Sequence, residues 1–268
     1  MAKVNSNYSS LALKAYAKLQ IYIHLFNFIT TLLFDCDNTL VLSETLAFDA
    51  CASLANRILA KYGVEVNYTG EHLLAEFVGR NFRGMLTLLA NKHCVKIPAD
   101  EFESWVAAEE DAVIAQLQEA LMPCDGVSGV LERLQETGAY RLAAVSSSAL
   151  RRVQASLVTV GLDKYFAADA IFSAASSLPI PSSKPDPAIY ELALKKLGVT
   201  SAECLAVEDS ESGVISAHLA GITLVGYTGS YELDEQESMG KLLLERGATV
   251  IMEDWAQFEG ILSQIQEI

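Results

Sequence analysis

Histidine is scarce in this chain, and the four present, His24, His72, His93 and His218, have no ligand-like spacing, so they read as structural or surface residues. The five cysteines (Cys36, Cys51, Cys94, Cys124 and Cys204) are odd in number and form no CxxC pair. That removes zinc and dithiol redox sites and points to reduced thiols in a cytoplasmic setting. Basic charge is also short, with 19 lysines and arginines against 34 acids and a formal net charge of −15. Nucleic acid and anionic membrane both require a basic face, so neither is expected as a partner, and an anionic substrate must meet its positive charge locally. A GxxxxGK phosphate loop and a GxSxG elbow are absent, which leaves nucleoside triphosphate hydrolysis and serine esterase chemistry without support. The apolar stretch at 19 to 29 is interrupted by His24 and Asn27 and is too short to span a bilayer. It belongs to residues 1–30, which carry Lys3, Lys14 and Lys18 but no acid, and which read as a helical extension packed on the core.

What is present is the composition of a globular enzyme. At 268 residues, 51% hydrophobic and 20% charged, the chain can build one large domain or a core with a smaller second domain. A short apolar run at 31 to 34 reads as a buried strand opening onto acidic and turn-forming residues. Helical periodicity then holds at 45 to 61, 71 to 77, 82 to 92 and 99 to 121, the last three separated by Gly, Asn or Pro breakers. Beyond Pro123 and Gly126 helices alternate with strands. The helices are expected at 127 to 137, 149 to 160, 187 to 197, 213 to 220 and 235 to 245, with one more at the C-terminus; the strands at 141 to 145, 204 to 207, 222 to 225 and 248 to 251. This alternation predicts an α/β fold, a doubly wound parallel sheet covered on both faces, with an all-helical block inserted after the first strand.

Four clusters stand at the ends of predicted strands: Asp35-Cys36-Asp37-Asn38-Thr39, Ser146-Ser147-Ser148, Lys184-Pro185-Asp186-Pro187 and Glu208-Asp209-Ser210. In an open parallel sheet the carboxyl ends of the strands line one crevice, so these segments converge. Their chemistry fits a single task. Two carboxylates two residues apart, joined by a distant Glu-Asp pair, supply the oxygen ligands that magnesium favours. A lysine and a serine hydroxyl, with neighbouring backbone N–H groups, hold phosphate oxygens. Taken singly, each cluster is also what a turn or a helix N-cap looks like. Jointly they describe a phosphoryl site, with a carboxylate to attack.

The DxDxT run, the serine at a strand end, the KPDPxIY run from Lys184 to Tyr190 and the VEDSxxG run from Val207 to Gly213 together resemble the haloacid dehalogenase superfamily. Within it, the chain is most similar to the branch of capped sugar phosphatases and β-phosphoglucomutase-like (CbbY-like) proteins, from about Thr31 to the C-terminus. The resemblance implies a Rossmann-like catalytic core of residues 31–44 and 121–268, a helical cap of residues 45–120, and Mg2+ as cofactor. It makes Asp35 the nucleophile and Asp37 the general acid and base. The metal would be bound by Asp35, the backbone carbonyl of Asp37, Asp209 and Glu208. Thr39, Ser146, Ser147 and Lys184 would hold phosphate, and Glu44, Arg80 and Arg83 are candidate substrate contacts. Asn38 stands where many members have glycine, and Asn accepts turn conformations. Asp37 marks phosphate chemistry over dehalogenation. The implied activity is a phosphatase on a small phosphorylated metabolite such as a sugar or polyol phosphate. A sugar phosphomutase is the alternative, disfavoured because Ala47 takes the place of the mutases' histidine. A binding protein that lost catalysis is a third reading, opposed by the presence of every motif.

Overall fold

The computed structural model describes residues 28–77 and 81–267. Most of the extension and Arg80 therefore lie outside the described residues. The organising element is β1 (Thr31–Phe34), a strand buried along its whole length. Between it and the next strand the chain is helical: α1 (Glu44–Lys61), α2 (Gly70–Phe77), α3 (Phe82–Lys92), α4 (Ala99–Ala120) and α5 (Val127–Thr137). Asn81 starts α3 by accepting a hydrogen bond from the Gly84 N–H at 2.9 Å, one of the orphan donors of a first helical turn.

The remaining strands are β2 (Arg141–Ser146), β3 (Ile171–Ser173), β4 (Cys204–Glu208), β5 (Thr223–Tyr227) and β6 (Val250–Met252). They join β1 in a parallel sheet of order β3-β2-β1-β4-β5-β6. The order reverses between β1 and β4, which is where an open α/β sheet leaves its crevice. Interleaved with the strands are α6 (Leu150–Thr159), α7 (Ala188–Leu197), α8 (Glu211–Leu219), α9 (Leu233–Arg246) and α10 (Phe258–Gln266).

The period of two along each strand sorts the core into two clusters. Leu32 and Phe34 face α5, α6 and α10, whereas Leu33, Ala143 and Ala206 face α7, α8 and α9. Both faces are thus covered by helices, as a parallel sheet requires. The first cluster continues into α1 to α4 through Ala55, Ile58, Leu86 and Leu117. Arg151 of α6 adds an ion pair to Asp111 of α4 at 2.9 Å.

The observed elements match the periodicity closely, α3 and α5 to the residue, with one omission. β3 is only three residues long and lies among alanines and serines. It becomes a strand because Phe172 and Ser173 pair with Val145 and Ser146 of β2, a tertiary reason. On the other side of the sheet Trp255 is wholly buried, its ring centroid 5.9 Å from Phe34, 5.6 Å from Tyr227 and 5.6 Å from Phe258. Replacing Trp255 by Ala should therefore lower the free energy of unfolding by about 3–5 kcal/mol, read from urea denaturation. A loss below about 1 kcal/mol would mean that this aromatic cluster does not anchor the sheet.

Candidate active site

At the end of β1 the Asp35 N–H still pairs with the Val207 carbonyl at 3.0 Å, after which the chain turns. Cys36 O accepts from both Leu40 N and Val41 N, and Asn38 adopts φ +57°, a left-handed conformation that Asn tolerates. The turn carries Asp37 to the crevice and sends Thr39 under it, where the Thr39 hydroxyl donates to Asp209 Oδ1 at 3.0 Å.

Lys184 is buried at the centre of this arrangement. Its Nζ lies 2.5 Å from Asp35 Oδ1 and 2.7 Å from Glu208 Oε1, and donates to the Val145 carbonyl at 2.7 Å. Burial disfavours the ammonium, yet Asp35 and Glu208 outweigh that and push the lysine pKa up, so it remains charged. Burial is also the main influence on Asp35, with its pKa pushed up to about 7 although Lys184 opposes; Glu208 and Asp37 add to the rise. Asp209 is driven upward by burial and then by Asp35 and Glu208.

Asp35, Glu208 and Asp209 each offer an oxygen within 4.8 Å of the others. The Tyr190 hydroxyl donates to Glu208 Oε1, but Glu208 Oε2 is buried with no hydrogen-bond partner. Three crowded carboxylates facing one ammonium, with an unpartnered buried oxygen among them, form a donor set that suits a hard divalent cation. Those three residues would hold it.

Asp37 stands apart from this set. Its carboxylate accepts from Ser43 Oγ at 2.5 Å, Ser148 Oγ at 2.7 Å and Ser146 Oγ at 3.3 Å, and pairs with Arg152 at 3.1 Å. Burial would raise its pKa, but the Arg152 guanidinium and the three hydroxyls together reverse this and hold it below the ordinary value.

These groups open onto a cleft of about 740 Å³ between the strand ends and the helices α1, α3 and α4. Of the residues expected from the sequence, Asp35, Asp37, Ser147, Lys184, Asp209 and Glu44 line it. Glu44 Oε2 accepts from Asn38 Nδ2 at 3.0 Å. Ser146 is buried behind Asp37, and Thr39 supports Asp209 from below, so both brace carboxylates. Arg83, a candidate substrate contact, is placed away from the other candidates. Its guanidinium makes a bidentate pair with Glu103 at 2.6 Å on the exposed surface, lies over Phe102 and does not line the cleft. Ser43, Ser148, Arg152 and Tyr190 are site residues that the sequence reading did not assign. Ser148 and Tyr190 sit inside quoted motifs and could have been found there. Arg152 lies one helical turn further on, and its partner is distant in the chain.

Gly213 of α8 packs directly on the site, because a Cβ there would lie 1.8 Å from Glu208 Oε2. Lys184 and Tyr190 pin that carboxylate in place. Gly213→Ala should therefore displace Glu208, destabilise the fold by about 1–3 kcal/mol in chemical denaturation, and remove the rise in melting temperature expected of the unsubstituted protein on adding magnesium. An unchanged magnesium-dependent melting shift in the variant would argue that Glu208 is not part of the cation site.

Comparison with known proteins agrees with this geometry. Residues 29–221 match the family model of haloacid dehalogenase-like hydrolases. The phosphorylated carbohydrates phosphatase of Thermotoga maritima is 31% identical over 236 residues, 88% of this chain and 98% of that one. A phosphoglycolate phosphatase of Haemophilus influenzae is 32% identical over 51% of this chain and 55% of its own length. Among solved structures, a haloacid dehalogenase family hydrolase of Deinococcus radiodurans with bound phosphate and sodium is 26% identical. It superposes with a TM-score of 0.65 over 88% of this chain and 96% of its own. The chain thus belongs to the haloacid dehalogenase-like hydrolase family, in the branch of capped sugar phosphatases.

Proposed function

We propose that the protein is a magnesium-dependent phosphatase of a small phosphorylated metabolite, a sugar or polyol phosphate, acting in the cytoplasm through an aspartyl-phosphate on Asp35. The observation that carries the reading is the convergence on one cleft of Asp35, Asp37, Lys184 and Asp209, drawn from two separate strand ends and the loop after β3. The names of the relatives support phosphate monoesters as the substrate class.

The chemistry follows from the charges. The phosphoryl group enters beside Lys184, whose ammonium offsets part of its negative charge, while Ser147 offers its hydroxyl at the cleft wall. Asp35 attacks phosphorus with the oxygen that Lys184 does not hold, forming the acyl phosphate as the P–O bond to the leaving group breaks. Magnesium, held when bound by Asp35, Glu208 and Asp209, would supply further positive charge against the phosphoryl oxygens.

Asp37 is ionised while Arg152 faces it, the form needed to take a proton from water in the second step. A phosphate brings roughly −1.5 to −2 charges into the cleft, raising the proton affinity of Asp37 and arming it as the acid that protonates the leaving oxygen in the first. The helices of residues 45–120, as a cap over the strand ends, exclude bulk water during that step. Ala47 lines the cleft, so the position where mutases carry histidine presents only a methyl group, which favours transfer to water.

Phosphate release from a panel of sugar and polyol phosphates should require magnesium and vanish in Asp35→Asn. Asp37→Asn should reduce kcat by about 100- to 10,000-fold, the usual range for loss of a general acid and base. Release that persists in Asp35→Asn, or that ignores chelation of magnesium, would refute the aspartyl-phosphate reading.

A further inference from the structure

The two ends of the cleft differ in make. The strand end holds Asp35, Asp37, Lys184 and Asp209. The helical end presents apolar surface from Phe48, Phe82 and Met85, with one charged group among them, Glu109 of α4. Glu109 is half-buried, and its Oε1 accepts from the Cys51 thiol at 3.7 Å. Burial pushes its pKa up, opposed by the charge of Arg152. Arg152 donates to Asp37 at 3.1 Å, and its Nε is buried without a hydrogen-bond partner. Glu44 adds a second carboxylate to the rim. Among the described residues that line the cleft, the cations are Lys184 and Arg152, and each faces a carboxylate.

We propose that Glu109 determines specificity in this cleft, accepting hydrogen bonds from the hydroxyls of a neutral, polyhydroxylated leaving group and rejecting leaving groups that carry a carboxylate or a second phosphate. The proposal rests on the phosphatase reading and narrows it. A hydroxyl donates where a carboxylate accepts, so a sugar or polyol satisfies Glu109 without adding charge. An anionic tail would be placed beside Glu109 and Glu44, while the described lining cations, Lys184 and Arg152, each already face a carboxylate, and like charges set together in an interface are strongly unfavourable. The apolar wall of Phe48, Phe82 and Met85 matches the C–H faces of a carbon chain, and about 740 Å³ admits a phosphoryl group with a six-carbon body.

The test is a matched pair. Sorbitol 6-phosphate and 6-phosphogluconate share an open six-carbon chain and its hydroxyls and differ at C1, a CH2OH against a carboxylate; glucose 6-phosphate, a pyranose, extends the neutral set. With the full chain and saturating magnesium, kcat/KM for the neutral esters should exceed that for 6-phosphogluconate by about tenfold or more. In Glu109→Gln the ratio should narrow by about threefold or more, as one like charge is removed. Because both substrates are read in the same preparation, a loss of folded enzyme cancels from the ratio. Asp35-dependent release that is equal or faster from 6-phosphogluconate overturns the proposal and leaves the phosphatase reading standing. An unchanged ratio in Glu109→Gln overturns the role of Glu109. Release from none of these esters, with Asp35-dependent release from an aryl phosphate, also overturns the proposal, whereas no Asp35-dependent release from any ester removes the phosphatase reading itself.

Discussion

Lys184 lies between Asp35 and Glu208, with a carbonyl of β2 as its third partner, and the arrangement of the cleft follows from that contact. Each carboxylate would be costly to bury alone, and so would the ammonium. Together the two carboxylates keep the lysine charged, and the lysine draws the end of β1, the end of β4 and the loop after β3 to a common point. Removing its charge would leave Asp35, Glu208 and Asp209 with no facing cation among the described residues, since Arg152 serves Asp37. A buried pair broken from one side costs about 3–5 kcal/mol, so the site and the stability of the strand ends depend on the same atom.

The sheet makes this convergence possible without strain. Parallel strands of similar length end side by side, and the reversal of strand order beside β1 opens room above β1 and β4. Close packing then sets limits on residue choice that resemble catalytic ones. Gly213 has no side chain because Glu208 occupies that space, and Thr39 is buried because Asp209 needs a donor from beneath. Neither residue needs to touch substrate to be required by the site.

These dependencies explain what the sequence disclosed. The clusters at Asp35, Ser146 and Glu208 were legible because each is a short polar run directly after an apolar run, and the sheet brings such runs together whatever the intervening chain does; Lys184, expected at a strand end, stands instead in the loop after β3, legible only by its KPDP motif. The helices were legible because their apolar spacing is local. β3 was not, since three residues carry no period and its existence depends on β2. Arg152 was missed for a related reason: its partner Asp37 is 115 positions away, and a helix arginine carries no mark of which carboxylate it will meet. The sequence could not place Arg83, because an arginine near a substrate loop looks the same whether it faces the cleft or an exposed glutamate such as Glu103.

The charge of the whole chain sharpens the role of these few cations. With a formal net charge of −15 the far field repels a phosphate dianion, and in physiological salt that field is screened beyond roughly 8 Å. Capture therefore has to be decided within a few ångströms of Lys184, where the low dielectric strengthens each contact. A site of this kind cannot gather anions in general. On the proposed function a phosphoryl group would be met at close range by the lysine and a divalent cation, and the rest of the ligand would face Glu109 and Glu44 among the described residues of the cleft. If Glu109 acts as proposed, selection against a second anionic group is a physical consequence of placing the positive charge so sparingly.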